Sequence, residues 1–398
     1  MGDTEFKPKI NSEAKDPMLK KAEIDYMKII EQKNRERVQK LQAIAKKNRI
    51  TGFAIGAGVF TVMAAATKAV HIRLPPLPTI KDVIRLYKLR ALKELSQNFL
   101  MEPRMIDKIV RAAGHIDNNV VCEVGPGPGG ITRSIIRQAP RKVILIEKDP
   151  RFIPSLELIA DACRDKVDVD IITGDILKTD IAHFVPKDVK VDWNDPPPAL
   201  NLIGNLPFSV STILMIRWLE KISKQEGPWA FGRTRMTLTF QKEVAERMAA
   251  RILDKQRCRL SVMCQNWCSV KYKFDIPGSA FLPKPDVDVG VVTLTPLKQP
   301  IIRLPFKLVE KVVRHIFSMR QKYSIRGAQT LFPEEVRQEM ADRMYKLAEI
   351  DPVTRPFQIV NTEFARLCEA YNEIIKEYPE FEHYDYRAPK ANKELVEE

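Results

Sequence analysis

The sequence has no Cys-x-x-Cys pair, and its five histidines are scattered along the chain. Cys264 and Cys268 stand four apart, but no histidine or second cysteine pair lies close to them. A structural zinc site draws its nitrogen and sulfur ligands from closely spaced pairs, so that class is set aside. The six cysteines (Cys122, Cys163, Cys258, Cys264, Cys268 and Cys368) suggest no disulfide framework and no oxidising compartment. No catalytic triad pattern can be traced around the histidines. Acidic residues are in deficit, 51 against 65 lysines and arginines, which leaves a net charge of +14. Such a chain suits an acidic partner, either nucleic acid or an anionic membrane surface. A basic organelle address raises the charge as well. With 398 residues, 44% of them hydrophobic, there is material for two domains with a real core, plus tails.

Glycine is scarce in the first fifty residues, which are rich in Lys, Glu and Gln and read as a solvated helix. The next stretch, "ITGFAIGAGVFTVMAAAT" at 50–67, carries no charge. Its length approaches the roughly 20 residues of a bilayer span, and the basic "KKNR" before it suits a flank. It is not a secretory signal, because the charged stretch ahead of it is far too long. From Met63 the register changes: Lys68, His71 and Arg73 precede the first acid, Asp82, as in a weak organelle-targeting segment. "LPPLP" then breaks any helix. Residues 1–62 therefore read as an addition to a protein that could begin at Met63.

Between about 80 and 295 the chain alternates strand and helix patterns. "NNVVCEV", "KVILIEKD", "VDVDIITGD", "ALNLIGN" and "RMTLTFQ" are short apolar runs, the first three rich in Val and Ile. Helical periods fall at 130–139, 151–163 and 209–222. Short strands alternating with helices predict an α/β fold, a mostly parallel sheet with helices on both faces. From about 303 the patterns are helical only. The expected organisation is an extension at 1–62, a targeting-like lead-in at 63–95, a sheet domain at 96–300, a smaller all-α domain at 301–386 and a polar tail at 387–398.

The chemistry gathers at strand ends, where ligands bind in open α/β sheets. "CEVGPGPGG" (122–130) is a strand, a glycine turn and a helix start. Gly125, Gly127 and Gly130 satisfy G-x-G-x-x-G, so a dinucleotide stays formally open. Pro128, however, removes an N–H from any phosphate cradle, and Glu123 suits a ligand bearing an amino group. S-adenosylmethionine is therefore preferred to NAD. Glu147, ending "LIEK", can accept both ribose hydroxyls, though an ordinary solvated strand end would look the same. Asp175 in "TGDIL" can take the adenine amine of the cofactor, or simply cap the next turn.

"NLPF" (205–208) ends the fourth strand. The Asn205 side-chain carbonyl and the Leu206 backbone carbonyl can both accept from an exocyclic base amine. Pro207 fixes the turn and has no N–H to compete, and Phe208 can stack on the base. No general base is required before attack on a sulfonium methyl, so the site's work is positioning and desolvation. In "SAFLPKPDVD", Phe281 offers a second ring, held extended by Pro283 and Pro285. Gln97 and Asn98 of "LSQNFL" can close over the cofactor. Arg314, Arg320, Lys322 and Arg326 would suit RNA phosphates, although each alone could be a solvated helix face.

"QNFL", "EVGPGPGGITRSI", "EKDPRFIPSL", "GDIL", "IGNLPFSVST", "RMTLTFQKEVAERMAA", "CRLSVM" and "FLPKPDVDVGVV" together resemble the rRNA adenine N6,N6-dimethyltransferase family, most closely its mitochondrial branch. The resemblance runs from about Met63 to about residue 386, and "RLPPLPTI" also fits that branch. It implies a class I, Rossmann-like methyltransferase domain followed by a helical domain. The reaction implied is transfer of four methyls to two adjacent adenines in a hairpin near the 3′ end of small-subunit rRNA. It further implies cofactor contacts from Gln97, Leu100, Gly125, Gly127, Glu147, Lys148, Asp175, Ile176 and Asn205. Asn205, Leu206, Pro207 and Phe208 would hold the adenine, with Phe281 as the second stacking residue.

Residues 1 to about 60, through "RVQKLQAIAKKNRITGFAIGAGV", resemble instead the cytochrome c oxidase assembly factor 3 family of single-span inner-membrane proteins. That match breaks off inside the would-be span, as in a fusion of two coding units. Both resemblances imply a mitochondrial protein. The expected partners are mitochondrial small-subunit rRNA and the small ribosomal subunit, with inner-membrane contact through residues 50–67 left open and a monomer as the simplest state. The competing expectation is a non-catalytic nucleic-acid-binding factor in mitochondrial transcription or ribosome assembly.

Overall fold

The computed structural model describes residues 71–86 and 97–387. The expectations for residues 1–62, the uncharged stretch 50–67 and the final polar residues after Arg387 lie outside the described residues. The chain divides into two units, Met1–Lys68 and Ala69–Glu398, and everything described belongs to the second. Among the described residues, no helix is long and apolar enough to cross a membrane.

In chain order the elements begin with α1 (Ile80–Leu86), β1 (Phe99–Leu100), α2 (Pro103–Ala112), β2 (Val120–Val124), α3 (Gly130–Arg137) and β3 (Lys142–Glu147). They continue with α4 (Ile153–Asp161), β4 (Asp168–Thr173), β5 (Leu200–Asn205), α5 (Phe208–Lys224), β6 (Arg235–Gln241) and α6 (Lys242–Ala249). α7 (Arg259–Trp267), β7 (Cys268–Ile276), β8 (Phe281–Leu282) and β9 (Val289–Pro296) complete the strands. Helices alone follow: α8 (Phe306–Ile316), α9 (Ser324–Ala328), α10 (Arg337–Leu347), α11 (Asn361–Glu377) and α12 (Glu380–His383).

Seven strands form one sheet in the order β4-β3-β2-β5-β6-β9-β7. β2 to β6 run parallel, and β9 lies antiparallel between β6 and β7. The central strands are covered on both faces, as their mostly apolar composition suits: all five residues of β2 are buried, and so are the last five of β3. β7, at the sheet edge, instead alternates exposed and half-buried positions between buried ends. One apolar core lies beneath β2, β5 and β6 and runs without a break into α8, α10 and α11. A second fills the space between the other face of the sheet and α2, α3 and α4.

Strand order positions the site. β3 and β4 lie on one side of β2, and β5 and β6 on the other. The chain therefore reverses its direction of travel across the sheet after β4, which opens a crevice beyond the carboxyl ends of the central strands. A separate two-stranded ribbon crosses this end: Phe99 pairs with Leu282 and Leu100 with Phe281. The N–H of Met101 extends it, donating to the Ala280 carbonyl at 2.8 Å. "QNFL" and "FLP", far apart in sequence, thus meet at the crevice.

Candidate active site

A single cleft is lined by residues from four strand ends and the ribbon. From the expected set it gathers Gln97, Leu100, Gly125, Gly127, Glu147, Lys148, Asp175, Ile176, Asn205, Leu206, Pro207, Phe208 and Phe281. The structure places every one of them on this surface.

The glycine turn follows β2. Gly125, Gly127 and Gly129 have φ of 68°, 54° and 85°, in the left-handed region that side chains resist. At Gly129 a Cβ would also sit 2.2 Å from Ile159 Cδ1, so that side chain would have to shift to admit one. Gly127 lies under the Phe99 ring, which is edge-on to Phe152 at 5.4 Å between centroids.

Glu147 ties this turn to the end of β3. Its Oε2 accepts from the Gly127 N–H at 2.9 Å and its Oε1 from the Asp149 N–H at 2.8 Å. Burial pushes its pKa up, while those backbone donors work the other way. Each carboxyl oxygen keeps a further lone pair for a hydroxyl. Gln97 is drawn in by its Nε2, which donates to Asp149 Oδ2 at 2.8 Å. Burial works to raise the Asp149 carboxyl, but hydrogen bonds from Arg151 and Gln97 outweigh it and hold the pKa low.

Asp175 follows β4. Its Oδ1 accepts from the Leu177 N–H at 2.9 Å, the turn-capping arrangement that the sequence left open. Its Oδ2 pairs with Lys148 Nζ at 2.9 Å. The Leu177 N–H and then Lys148 hold its pKa below the ordinary carboxylate value. Ile176 beside it is half-buried and faces the cleft.

Asn205 ends β5, and its amide has a determined orientation. Nδ2 donates to the Asn98 backbone carbonyl at 3.0 Å, and that carbonyl can only accept. The amide oxygen must then face the other way, where the Thr239 hydroxyl donates to it at 2.7 Å. Pro207 precedes the first residue of α5, so Phe208 opens the helix at the cleft wall. Phe281, on β8, is buried on the opposite side of the ribbon from Phe99.

Glu123 does not face the cleft. It is fully buried, the Thr132 hydroxyl donates to its Oε2 at 2.7 Å, and its Oε1 has no protein partner among the described residues. Inspection of the sequence did not single out Phe99, Phe152, Ile131 and Val210 as cleft residues, nor Thr239 behind Asn205. An aromatic or Ile within a strand or helix run looks like core, and nothing short of the fold distinguishes them.

A glycine turn, two acidic strand ends and an Asn-Leu-Pro-Phe edge around one crevice of a seven-stranded sheet define a Rossmann-like methyltransferase. The ribosomal RNA adenine dimethylase family matches residues 88–367, and the chain belongs to that family. It is 53% identical over 325 residues to human "Dimethyladenosine transferase 1, mitochondrial", covering 82% of this chain and 93% of that protein. The Drosophila melanogaster protein of the same name is 51% identical over 321 residues, covering 80% and 95%. The crystal structure of a dimethyladenosine transferase from Plasmodium falciparum shares the fold, with a TM-score of 0.54 at 22% identity over 69% of this chain and 98% of that one.

Proposed function

We propose that this protein is an S-adenosylmethionine-dependent adenine dimethyltransferase of mitochondrial small-subunit rRNA, acting on two adjacent adenines in a 3′-terminal hairpin. The observation that carries the reading is the fixed Asn205 amide, on a cleft wall that Leu206, Phe208 and Phe281 also line.

The residues present fit the cofactor. The left-handed glycine turn lets backbone approach a ligand closely, and Glu147 and Asp175 offer acceptors for hydroxyls and an amine. Leu100, Ile176 and Phe99 give a flat ring apolar walls. Gln97 and Lys148 complete the rim. When bound, S-adenosylmethionine supplies an electrophilic methyl on a sulfonium leaving group.

The chain's own part is to hold the acceptor nitrogen. Asn205 Oδ1 and the Leu206 carbonyl accept from the adenine amine and so aim its lone pair at the cofactor side. Pro207 keeps a competing N–H out of the turn. Phe208 and Phe281 clamp the base and exclude water, so orientation and desolvation lower the barrier without a catalytic base. The helical segment at 301–386 is the proposed RNA-binding domain. Arg314, Lys322 and Arg326 stand exposed on it, whereas Arg320 Nε is tied to the Arg257 carbonyl at 3.0 Å.

The test is label transfer from S-adenosylmethionine to a small-subunit rRNA hairpin with adjacent adenines, read as dimethyladenine. The full chain is expected to form it, and Asn205→Ala to lose it by roughly two orders of magnitude. No product despite confirmed binding of RNA and cofactor would favour the non-catalytic binding factor instead.

A further inference from the structure

Thr239 lies on β6 directly opposite Asn205 in the β5–β6 ladder, fully buried and not among the residues lining the cleft. Its hydroxyl nevertheless ends on the cleft's chief acceptor, donating to Asn205 Oδ1 at 2.7 Å. The Asn98 carbonyl holds the other end of the amide at 3.0 Å. The amide oxygen therefore has one lone pair engaged from behind and keeps a second, on a residue that lines the cleft.

Dimethylation makes unequal demands on that oxygen. An unmodified adenine N6 brings two hydrogens, one for Asn205 Oδ1 and one for the Leu206 carbonyl. In each transfer the N6 lone pair forms a bond to the methyl carbon. The methyl's bond to sulfur breaks with its electron pair left on sulfur, and one N6 proton passes to water. The second substrate, N6-monomethyladenine, therefore brings a single hydrogen for two acceptors. A desolvated acceptor left without a donor is costly, so a site tuned only to the first substrate would stall at the monomethyl product.

We propose that Thr239 is a positioning residue for the second methyl transfer. Its hydroxyl keeps Asn205 Oδ1 satisfied when the remaining N6 hydrogen goes to the Leu206 carbonyl and the first methyl lies against the Asn205 side. The proposal rests on the reading that the Asn205 amide holds the base.

The experiment uses the full chain with Thr239→Val, which keeps shape and removes the hydroxyl, and Thr239→Ser, which keeps the hydroxyl. Thr239→Ala serves if valine disturbs the strand. Single-turnover rates are measured on a hairpin with unmodified adenines and on one carrying N6-monomethyladenine, together with affinity for both hairpins and for S-adenosylhomocysteine. In Thr239→Val the first transfer is expected within about twofold of wild type and the second roughly tenfold slower, so monomethyladenine accumulates. Affinity for the monomethyl hairpin should fall relative to the unmodified one, S-adenosylhomocysteine affinity should hold, and Thr239→Ser should restore dimethyladenine. Equal slowing of both transfers, with or without weaker S-adenosylhomocysteine binding, would mean a general structural role and overturn the proposal. So would an unchanged product ratio. If Asn205→Ala keeps both transfers, the reading of the base-holding amide itself fails. If Asn205→Ala is inactive while the Thr239→Val ratio is normal, only the role of Thr239 is lost.

Discussion

Glu123 is a carboxyl with no room for its charge. Burial pushes its pKa up to about 8; the Thr132 hydrogen bond opposes this and Glu147 adds to it. The folded value thus lies above the ordinary 4.5. A carboxyl raised in this way contributes stability that is complete below its unfolded value and is lost as pH climbs through the folded one. Glu123→Gln cannot ionise. Its melting temperature should therefore gain on wild type as pH rises from about 5 to about 8. Thermal melts of both proteins across that range would show it, and parallel curves would mean that the carboxyl is charged throughout. Its place in the sequence points this residue at a ligand, because two residues before a glycine turn is near a strand end. Which face of β2 it occupies depends on packing against Thr132, nine residues on. Asn205 and Asp175 were legible for the opposite reason: Asn205 ends β5 and Asp175 stands in the turn two residues past β4, where the chain leaves the sheet at the crevice.

At the scale of elements, β2 to β6 could be read because each is a short, largely apolar run between helical patterns. β6 begins and ends where "RMTLTFQ" does. β7 could not be assigned in the same way, since "CSVKYKFDI" alternates lysines with aromatics, as a half-wet edge strand does. β1 and β8 have two residues each, too few to show any period. α1 shows how an element can matter to a site it does not line. Val83 is fully buried against Phe99 and Phe152, two rings of the cleft wall. A charge at that position would be buried among apolar side chains and must drive the helix off. Val83→Asp should therefore weaken S-adenosylmethionine binding roughly tenfold, about 1.4 kcal/mol, with no contact to the ligand removed. Calorimetric titration would measure this, and an unaltered affinity would show that the two rings support each other unaided.

On the scale of the whole molecule, the sheet and the terminal helices share a core and a buried cation. Arg257 is almost fully buried, and burial draws its pKa down to about 10. It donates to the Ile359 carbonyl at 3.2 Å and to Asn361 Oδ1 at 2.7 Å, which binds the turn before α7 to the start of α11. The helical segment that carries Arg314, Lys322 and Arg326 is thereby held to the body that contains the cleft. Phosphate contacts release counterions, so they set how steeply RNA affinity falls with salt. Replacing those three residues with Gln should lower that slope by about two to three while leaving S-adenosylmethionine affinity unchanged. Binding isotherms over a salt series would decide it, and an unaltered slope would move the RNA face elsewhere.

The ribbon across the cleft also has a consequence in time. Leu100 waits for Phe281, and the edge strand β7 waits for β9, which inserts between it and β6. Both partners are made late in translation. A nascent chain can assemble the glycine turn and the parallel strands early, but it owns no finished binding surface until the residues up to Pro296 have emerged. Pairings of such wide sequence separation also form slowly. The cleft is therefore completed only after the parallel strands, so a product terminated before Phe281 would carry Glu147, Asp175 and Asn205 without the ribbon that crosses them.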